Sequence, residues 1–509
     1  MSTAAALAVA FLAGFVALSF ELLWYRAYSI ALMARPQAFG VLLGGYLAGI
    51  GVGAWLSGRL CVRLGSRSPR PQLGWILIAA AALGYVLVPG FAWLVTVSRS
   101  WGIATVLVAA CSCGLGLVFP LVVHASVPAE GRVGRVTSRL YFANIIGSSS
   151  GSVVTGFWLM DRFGLAAITS ALSGALMAAG LVVLVAFDCR RWRVPVTCVA
   201  LLVAGAVASH GPAFAHLYER LFFRVGYDPA VHFSEIVENR SGVIGVTADG
   251  AVYGAGVHDG FYNTDLRLAR LNTIQEAYAI GLFHPAPARV LMIGLSSGSW
   301  AVVAANHPQV TDLTVVEINP GYVTLLRDHP AVAGLLSDAR VHIVIDDGRH
   351  WMRQHDDRFD LIVANTTYHW RANASSLLSV EFLELVRQHL RPGGVYYFNT
   401  TSEPRVQRTA ATAFPFAWRL YNMMAVSDGP IQPDLTTFRR QLGEYRLYGA
   451  PSLDLSRASD RDLQELLVTD AAGDLEPRDR ILSRTNGAEL ITDDNMGTEW
   501  RLSRYQRRQ

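Results

Sequence analysis

Four polar or glycine positions punctuate the Val- and Ile-rich runs between residues 289 and 400, and their types and order suit a nucleoside. The first run ends in Gly294-Leu-Ser-Ser-Gly298-Ser. Small residues here, Gly294, Ser296 and Gly298, let backbone N–H groups approach a ligand closely. Glu317 ends the second run about 20 residues later, where an acid would grip ribose hydroxyls. Asp346-Asp347-Gly348 closes the third and Asn365 the fourth. Ligands of parallel sheets sit beyond the carboxyl ends of the strands, so these four ends would share one edge.

A second group of residues suits an amine. Tyr368-His369-Trp370 could surround a cationic centre or simply cover the sheet edge, and His369 could serve as a base. Asn365 could accept a hydrogen bond from an amine but could not take its proton at neutral pH. Upstream, Val257-His-Asp-Gly-Phe-Tyr-Asn-Thr-Asp265 groups Asp259 and Asp265 with aromatics; it reads equally as an amine-binding patch or a solvated loop.

Positioning these residues needs an alternation of strands and helices. The pattern predicts strands at 289–294, 312–317, 341–346, 359–364 and 394–399, with helices at 298–307, 320–328, 348–354 and 380–390 between them. Arg391-Pro-Gly-Gly394 is a helix stop and a turn into the last strand. Before them, Phe233–Val237, Gly242–Thr247 and Ala251–Tyr253 alternate as short strands, with Asp249-Gly250 as a hairpin turn.

Composition excludes several chemistries. The chain has 509 residues, of which 52% are hydrophobic and 16% charged, too apolar for an ordinary soluble enzyme. All 43 basic residues are Arg, so no lysine can form a Schiff base with pyridoxal phosphate or serve a phosphate loop. The net charge of +4 is small and spread out, which does not suggest a nucleic-acid partner. Cys61, Cys111, Cys113, Cys189 and Cys198 all precede residue 210, leaving the second half without a thiol nucleophile. His350 and His355 have no neighbouring cluster, so no metal site is expected.

The apolar excess lies before about residue 210. Six or seven segments approach the ~20 residues needed to cross a bilayer, near 5–24, 38–58, 73–96, 102–124, 140–160, 164–187 and 194–212. The first lacks a basic start and runs into Phe20-Glu-Leu-Leu-Trp-Tyr-Arg26, unlike a cleaved signal. Glycines in the second and fifth suit close helix packing or a substrate path. Glu21 is costly within a span and calls for a partner such as Arg26. Arg59, Arg63, Arg67 and Arg70, then Arg132, Arg135 and Arg139, then Arg190, Arg191 and Arg193 mark the even connections as cytoplasmic. Seven crossings would then put everything after residue 212 outside, whereas a cytosolic nucleoside cofactor argues for the cytoplasm, the side favoured here.

Several motifs together resemble the spermidine/spermine synthase family of the S-adenosylmethionine-dependent transferase superfamily. They are the Gly294–Ser299 loop, Val316-Glu317-Ile-Asn, Asp346-Asp347-Gly348, Asn365-Thr-Thr-Tyr368, Ser379-Val-Glu-Phe382 and Leu390-Arg-Pro-Gly-Gly394. Phe20–Arg26 and Ile491-Thr-Asp-Asp-Asn495 are similar to pieces of the family's membrane-fused branch. The resemblance implies that Glu317 holds the ribose hydroxyls, that Asp347 accepts from the adenine amino group, and that Gln275 and Glu276 contact cofactor and amine. Two positions depart from the pattern: Leu295-Ser-Ser replaces a loop containing aspartate, and Asn365 stands where an aspartate would orient and help deprotonate the amine.

The expectation is therefore an all-α multi-span membrane bundle followed by an α/β Rossmann-like, methyltransferase-type domain with a small β region before it. The boundaries expected are 1–212, 213–270, 271–425 and 426–509. Cofactor contacts are expected from Gly294, Ser296, Gly298, Glu317, Asp346, Asp347 and Gln275. Acceptor contacts are expected from Asp259, Asp265, Glu276 and Trp370, and chemistry from Asn365, Tyr368 and His369. The co-substrate would be S-adenosylmethionine or its decarboxylated form. The partners would be a lipid bilayer, a small amine or polyamine, and a second copy of the chain. Aminopropyl transfer is the leading reaction. Methyl transfer to an amine or lipid-like acceptor, and a transporter or sensor that binds the nucleoside without turnover, are the alternatives.

Overall fold

In a computed structural model the chain divides into two units, residues 1–243 with 255–257, and residues 244–254 with 258–509. The structure describes residues 1–65, 67–98, 101–127, 133–187, 192–365, 368–495 and 499. Arg132, Cys189, Arg190, Arg191, Thr366 and Thr367, which entered the sequence argument, lie outside the described residues.

The first unit is helical. Its helices are α1 (Thr3–Ala31), α2 (Gln37–Leu64), α3 (Arg70–Val97), α4 (Trp101–Gly116), α5 (Val118–Ser126), α6 (Val133–Val154), α7 (Leu165–Phe187) and α8 (Arg193–Phe214). The fourth apolar segment is split into α4 and α5 just before Pro120, which has no N–H to offer a preceding turn. Among the described residues six helices, within the six or seven expected, are long and apolar enough to cross a membrane. The exception is α6, where Arg135, Arg139, Asn144 and the run Ser148–Ser150 dilute the apolar residues.

Helix α6 nonetheless runs beside α1 with a constant residue offset. A Cβ on Gly147 would lie 2.0 Å from the Phe11 carbonyl oxygen, and one on Gly151 would lie 2.2 Å from that of Phe15. One turn further on, Thr155 donates to Ser19 Oγ at 2.8 Å. Helices α2 and α4 meet the same way, with Gly49 against Ala109 O (2.3 Å) and Gly53 against Cys113 O (2.2 Å). Close backbone approach is thus the use these glycines serve. Arg26 does not turn to Glu21; its Nη2 donates to the Arg240 carbonyl at 2.8 Å. Residues 213–230 hold a further short helix, Leu217–Phe223, which buries Tyr218, Leu221 and Phe222.

Four short strands follow, β1 (Phe233–Asn239), β2 (Gly242–Thr247), β3 (Ala251–Gly254) and β4 (Val257–Phe261). Within the second unit β2 and β3 pair antiparallel, Ile244 opposite Gly254, across the Asp249-Gly250 turn, where Gly250 takes φ +85°. β4 is a strand where the sequence suggested a loop or patch.

The second unit is built on an eight-stranded sheet. Its parallel members are β5 (Arg289–Ile293), β6 (Asp312–Glu317), β7 (Val341–Ile345), β8 (Phe359–Ala364) and β9 (Leu390–Asn399). β10 (Phe416–Leu420) and β11 (Met423–Ser427) come next; after a two-residue ladder of β12 (Arg446–Leu447) and β13 (Ala450–Pro451) comes β14 (Glu476–Pro477). The spatial order is β14-β10-β11-β9-β8-β5-β6-β7, with β11 antiparallel between β9 and β10. This is a Rossmann-like, methyltransferase-type arrangement. The expected boundary at 425/426 falls inside β11, and β14 carries the last region into the same sheet through its pairing with β10.

The strands are almost continuous Val, Ile and Leu because helices cover the sheet. Leu291, Ile293, Ile362, Tyr396 and Phe398 pack with Phe382, Val386 and Val406 from the helices Val380–His389 and Pro404–Ala413. Near the C-terminus Asp493 makes a two-pronged ion pair with Arg349 (2.8 and 2.6 Å) and accepts from Ser379 Oγ (2.6 Å). The Glu499 carboxylate accepts from the backbone of Asn373 and Ser375 (3.0 and 2.8 Å). These acids brace the segment after β8.

Candidate functional site

The chain leaves β5 to one side for β6 and β7, then returns on the other side to β8. A crevice opens at such a switch, beyond the strand ends. The turn after β5 enters it with three residues in the left-handed region, Gly294 (φ +89°), Ser296 (φ +50°) and Gly298 (φ +77°). A Cβ on Gly298 would also lie 2.6 Å from Leu326 Cδ2, so the position is closed to larger residues. Ser296 Oγ donates to the Asp259 carbonyl at 2.6 Å, tying the turn to β4.

A cavity of about 360 Å³ occupies the crevice. One wall is β4 and the segment after it, with His258, Asp259, Gly260, Asn272 and Thr273. The floor is Met292 and the turn Gly294–Ser297, with Trp300 from the next helix. The opposite wall comes from the ends of β8 and β9 and the β10–β11 turn: Asn365, Tyr368, Trp370, Asn399, Thr401, Ser402 and Asn422. The surface is therefore amides, hydroxyls and aromatic rings, with Asp259 as the one carboxylate among the described lining residues.

Asp259 is held firmly. Tyr322 donates its hydroxyl to Oδ2 at 2.6 Å, and Arg371 Nη2 lies 3.3 Å from Oδ1. Arg371 also donates to the Gly254 carbonyl (3.1 Å) and stacks over the Tyr368 ring at 4.8 Å. Tyr368 in turn donates to the His258 carbonyl (2.8 Å). His258 is kept uncharged by burial, which lowers its pKa, and its Nε2 is buried without a hydrogen bond among the described residues.

The structure brings Asp259, Gly294, Ser296, Asn365, Tyr368 and Trp370 together around the cavity. It places the other expected residues elsewhere, each for a visible reason. Glu317 sits on the same sheet edge, beside Gly294, but its carboxylate accepts from the backbone of Leu295 (2.7 Å) and Asn319 (2.8 Å). Asp346 binds its own chain and His350 (2.8 Å), and Asp347 caps the helix Gly348–Gln354 through the His350 N–H. Gly298 begins the helix Ser299–Ala305 behind the turn. Asp265 is not at the cavity: it caps the 3-10 turn after it and pairs with Arg267 (3.0 Å). Gln275 also stays outside, its Oε1 buried and unbonded among the described residues, while its neighbours Asn272 and Thr273 reach the wall.

Glu276 and His369 stand one layer back. Glu276 is buried, and the Asn422 amide approaches both of its carboxyl oxygens (2.5 and 3.0 Å); hydrogen-bond chemistry turns the amide nitrogen toward them. On its other side Asn422 meets Asn399 (3.0 Å), which reaches Asn365 Oδ1 (3.2 Å). His369 contacts Thr401 Oγ1 and lies 3.5 Å from Glu403. Burial drives its pKa down to about 4, so it is uncharged at neutral pH and a weak base there. Among the described residues no group of three potential metal ligands occurs.

Residues overlooked in the sequence are His258, Asn272, Thr273, Trp300, Asn399, Thr401, Ser402 and Asn422. Asn399 was open to the same rule as the others, since it ends the fifth parallel strand. Asn422 was not, because only the antiparallel insertion of β11 beside β9 delivers it.

Two buried carboxyls make stability depend on pH. Burial raises Glu276 to about 8 and Glu317 to about 7, the latter against its two amide donors. The folded chain thus keeps protons that the unfolded chain has lost, and stability falls as pH rises through this range. The buried histidines His307 and His369, lowered to about 4, act oppositely but only below their unfolded pKa of 6.5. Between pH 6.5 and 8 the melting temperature is expected to fall, and Glu276→Gln to flatten the slope. Equal slopes in parent and variant would reject this assignment.

Residues 277–413 match the family model described as the spermine/spermidine synthase domain. A polyamine aminopropyltransferase of Moorella thermoacetica is 34% identical over 146 residues, 27% of this chain and 51% of that protein. One of Oceanobacillus iheyensis is 24% identical over 412 residues, 75% of each chain. The chain spans about half the length of the first of these relatives. The spermidine synthase of Thermotoga maritima superposes with a TM-score of 0.34 at 18% identity, over 46% of this chain and 88% of that one.

Proposed function

We propose that this chain, whose residues 277–413 are a spermine/spermidine synthase domain, is a membrane-anchored transferase that moves an aminopropyl group from decarboxylated S-adenosylmethionine to an amine. The observation that carries the reading is the cavity itself. It lies at the strand switch of that domain and is lined by one carboxylate, four asparagines and three aromatic rings. The six apolar helices support a multi-pass anchor, and a cytosolic nucleoside donor would place the second unit in the cytoplasm.

The fit to the donor rests on three features. The turn at Gly294–Gly298 approaches closely, Glu317 ends the neighbouring strand, and Asp259 offers a negative charge to an ammonium. In the transfer, the amine lone pair forms a bond to the methylene carbon on the sulfonium. The C–S bond breaks with its pair left on sulfur, giving a neutral thioether, and the new ammonium loses one proton. The attacking amine must be neutral. Asn365 and Asn399 can accept hydrogen bonds that aim it, and the proton leaves to bulk water. Trp300 and Trp370 exclude water and face the sulfonium charge.

Asn365 favours a second reading, methyl transfer from S-adenosylmethionine, because an amide positions an amine without charging it. The purified chain, offered each donor with a panel of amines, separates the two by mass spectrometry. An aminopropyl adduct is expected. A methyl adduct alone would select the alternative, and donor binding without product would select a sensor.

A further inference from the structure

We infer that the acceptor is a monoamine, a molecule with one amine whose remaining atoms carry no positive charge. This rests on the transfer reading above and concerns the cavity's charge inventory. Asp259 is the one carboxylate among the described lining residues, and it already carries an ion pair with Arg371 at 3.3 Å. The donor brings an ammonium of its own on the aminopropyl group, which claims what remains of Asp259. A diamine would add a second, distal ammonium, and the described wall holds no second carboxylate to meet it.

The groups behind the wall do not supply one. Glu276 is screened from the cavity by Asn422. Glu317 is turned onto the amides of Leu295 and Asn319, and Glu403 lies beside His369. The Tyr368 face, which could hold a cation, is covered by the Arg371 guanidinium at 4.8 Å. Asn272 and Thr273, on the wall opposite Asn365, would serve a hydroxyl or amide tail, and Met292, Leu295 and Trp300 would serve an apolar one. An unpaired ammonium in a partly dry cavity is disfavoured, whereas a neutral polar tail is not.

The test uses the full chain in detergent with decarboxylated S-adenosylmethionine and two acceptors of equal length, 4-aminobutan-1-ol and 1,4-diaminobutane. The alcohol is expected to show a kcat/KM about tenfold or more above the diamine, the penalty for one unpaired charge. Thr273→Asp adds a carboxylate to the wall opposite Asn365, away from the attacking amine, and is expected to shift the ratio toward the diamine by about tenfold. A parent chain that uses the diamine as well or better overturns the inference, as does a ratio unmoved in the aspartate variant. If the donor binds but neither acceptor gains an aminopropyl group, it is the transfer reading that fails, and the monoamine assignment falls with it.

Discussion

Glu317→Ala is expected to abolish binding of S-adenosyl compounds while costing the fold only modestly. The carboxylate sits at the end of β6, 4% exposed, and accepts from Leu295 N at 2.7 Å and Asn319 N at 2.8 Å. It therefore fixes the turn that forms the cavity floor as well as standing where ribose hydroxyls would bind. Losing two charge-assisted hydrogen bonds to a ligand amounts to about 3 kcal/mol or more, a fall in affinity of roughly 100-fold. Leaving the Leu295 amide unsatisfied would lower stability by about 1–3 kcal/mol. Glu317→Gln keeps one acceptor but sets its NH2 against the other amide, so it should bind weakly yet measurably. Calorimetry with each variant, alongside its melting curve, separates the two effects. A folded alanine variant with unchanged affinity would remove Glu317 from the site.

The sheet was legible in the sequence and the cavity only in part, because the two depend on different things. Strands β5 to β8 are mostly Val, Ile and Leu, β9 ends in Val, Tyr and Phe, and each is closed by a glycine or polar residue, features that are local. The turn at Gly294 was legible because backbone in the left-handed region selects glycine. Side-chain direction is not local. Glu317 and Asp347 are where a cofactor acid should be, yet each spends hydrogen bonds on nearby backbone, a choice the sequence does not display. Asp265 and Asp259 are six residues apart in one polar stretch; a 3-10 turn takes the first away while β4 carries the second into the wall. In the first unit the reverse held. Apolar length was easy to read, but α6 packs along α1 through glycines despite a composition that falls short of a span.

Asp259→Asn should be the most damaging single change at the cavity. Asp259 is 4% and Arg371 18% exposed at the side chain, so the pair is largely out of water. Removing one member of such a pair leaves the other charged and poorly solvated, a loss of about 3–5 kcal/mol. Tyr322 would keep its hydroxyl bond only to an amide oxygen, and Arg371 would retain the Gly254 carbonyl and the Tyr368 face. Arg371, no longer anchored by Asp259, would hold the Tyr368 ring less firmly against the His258 carbonyl, so the cavity wall should loosen with the pair. Arg371→Gln should be comparably harmful from the other side. The double variant should be less harmful than the sum of the two, by about 1–3 kcal/mol, because it removes the stranded charge. Function should not recover in parallel. With both charges gone the wall regains stability but has no carboxylate for the donor's ammonium, so aminopropyl transfer should stay at the level of Asp259→Asn. Strictly additive stabilities would show that the pair is not coupled. Activity restored in the double variant would show that Asp259 shapes the wall and does not touch the substrate.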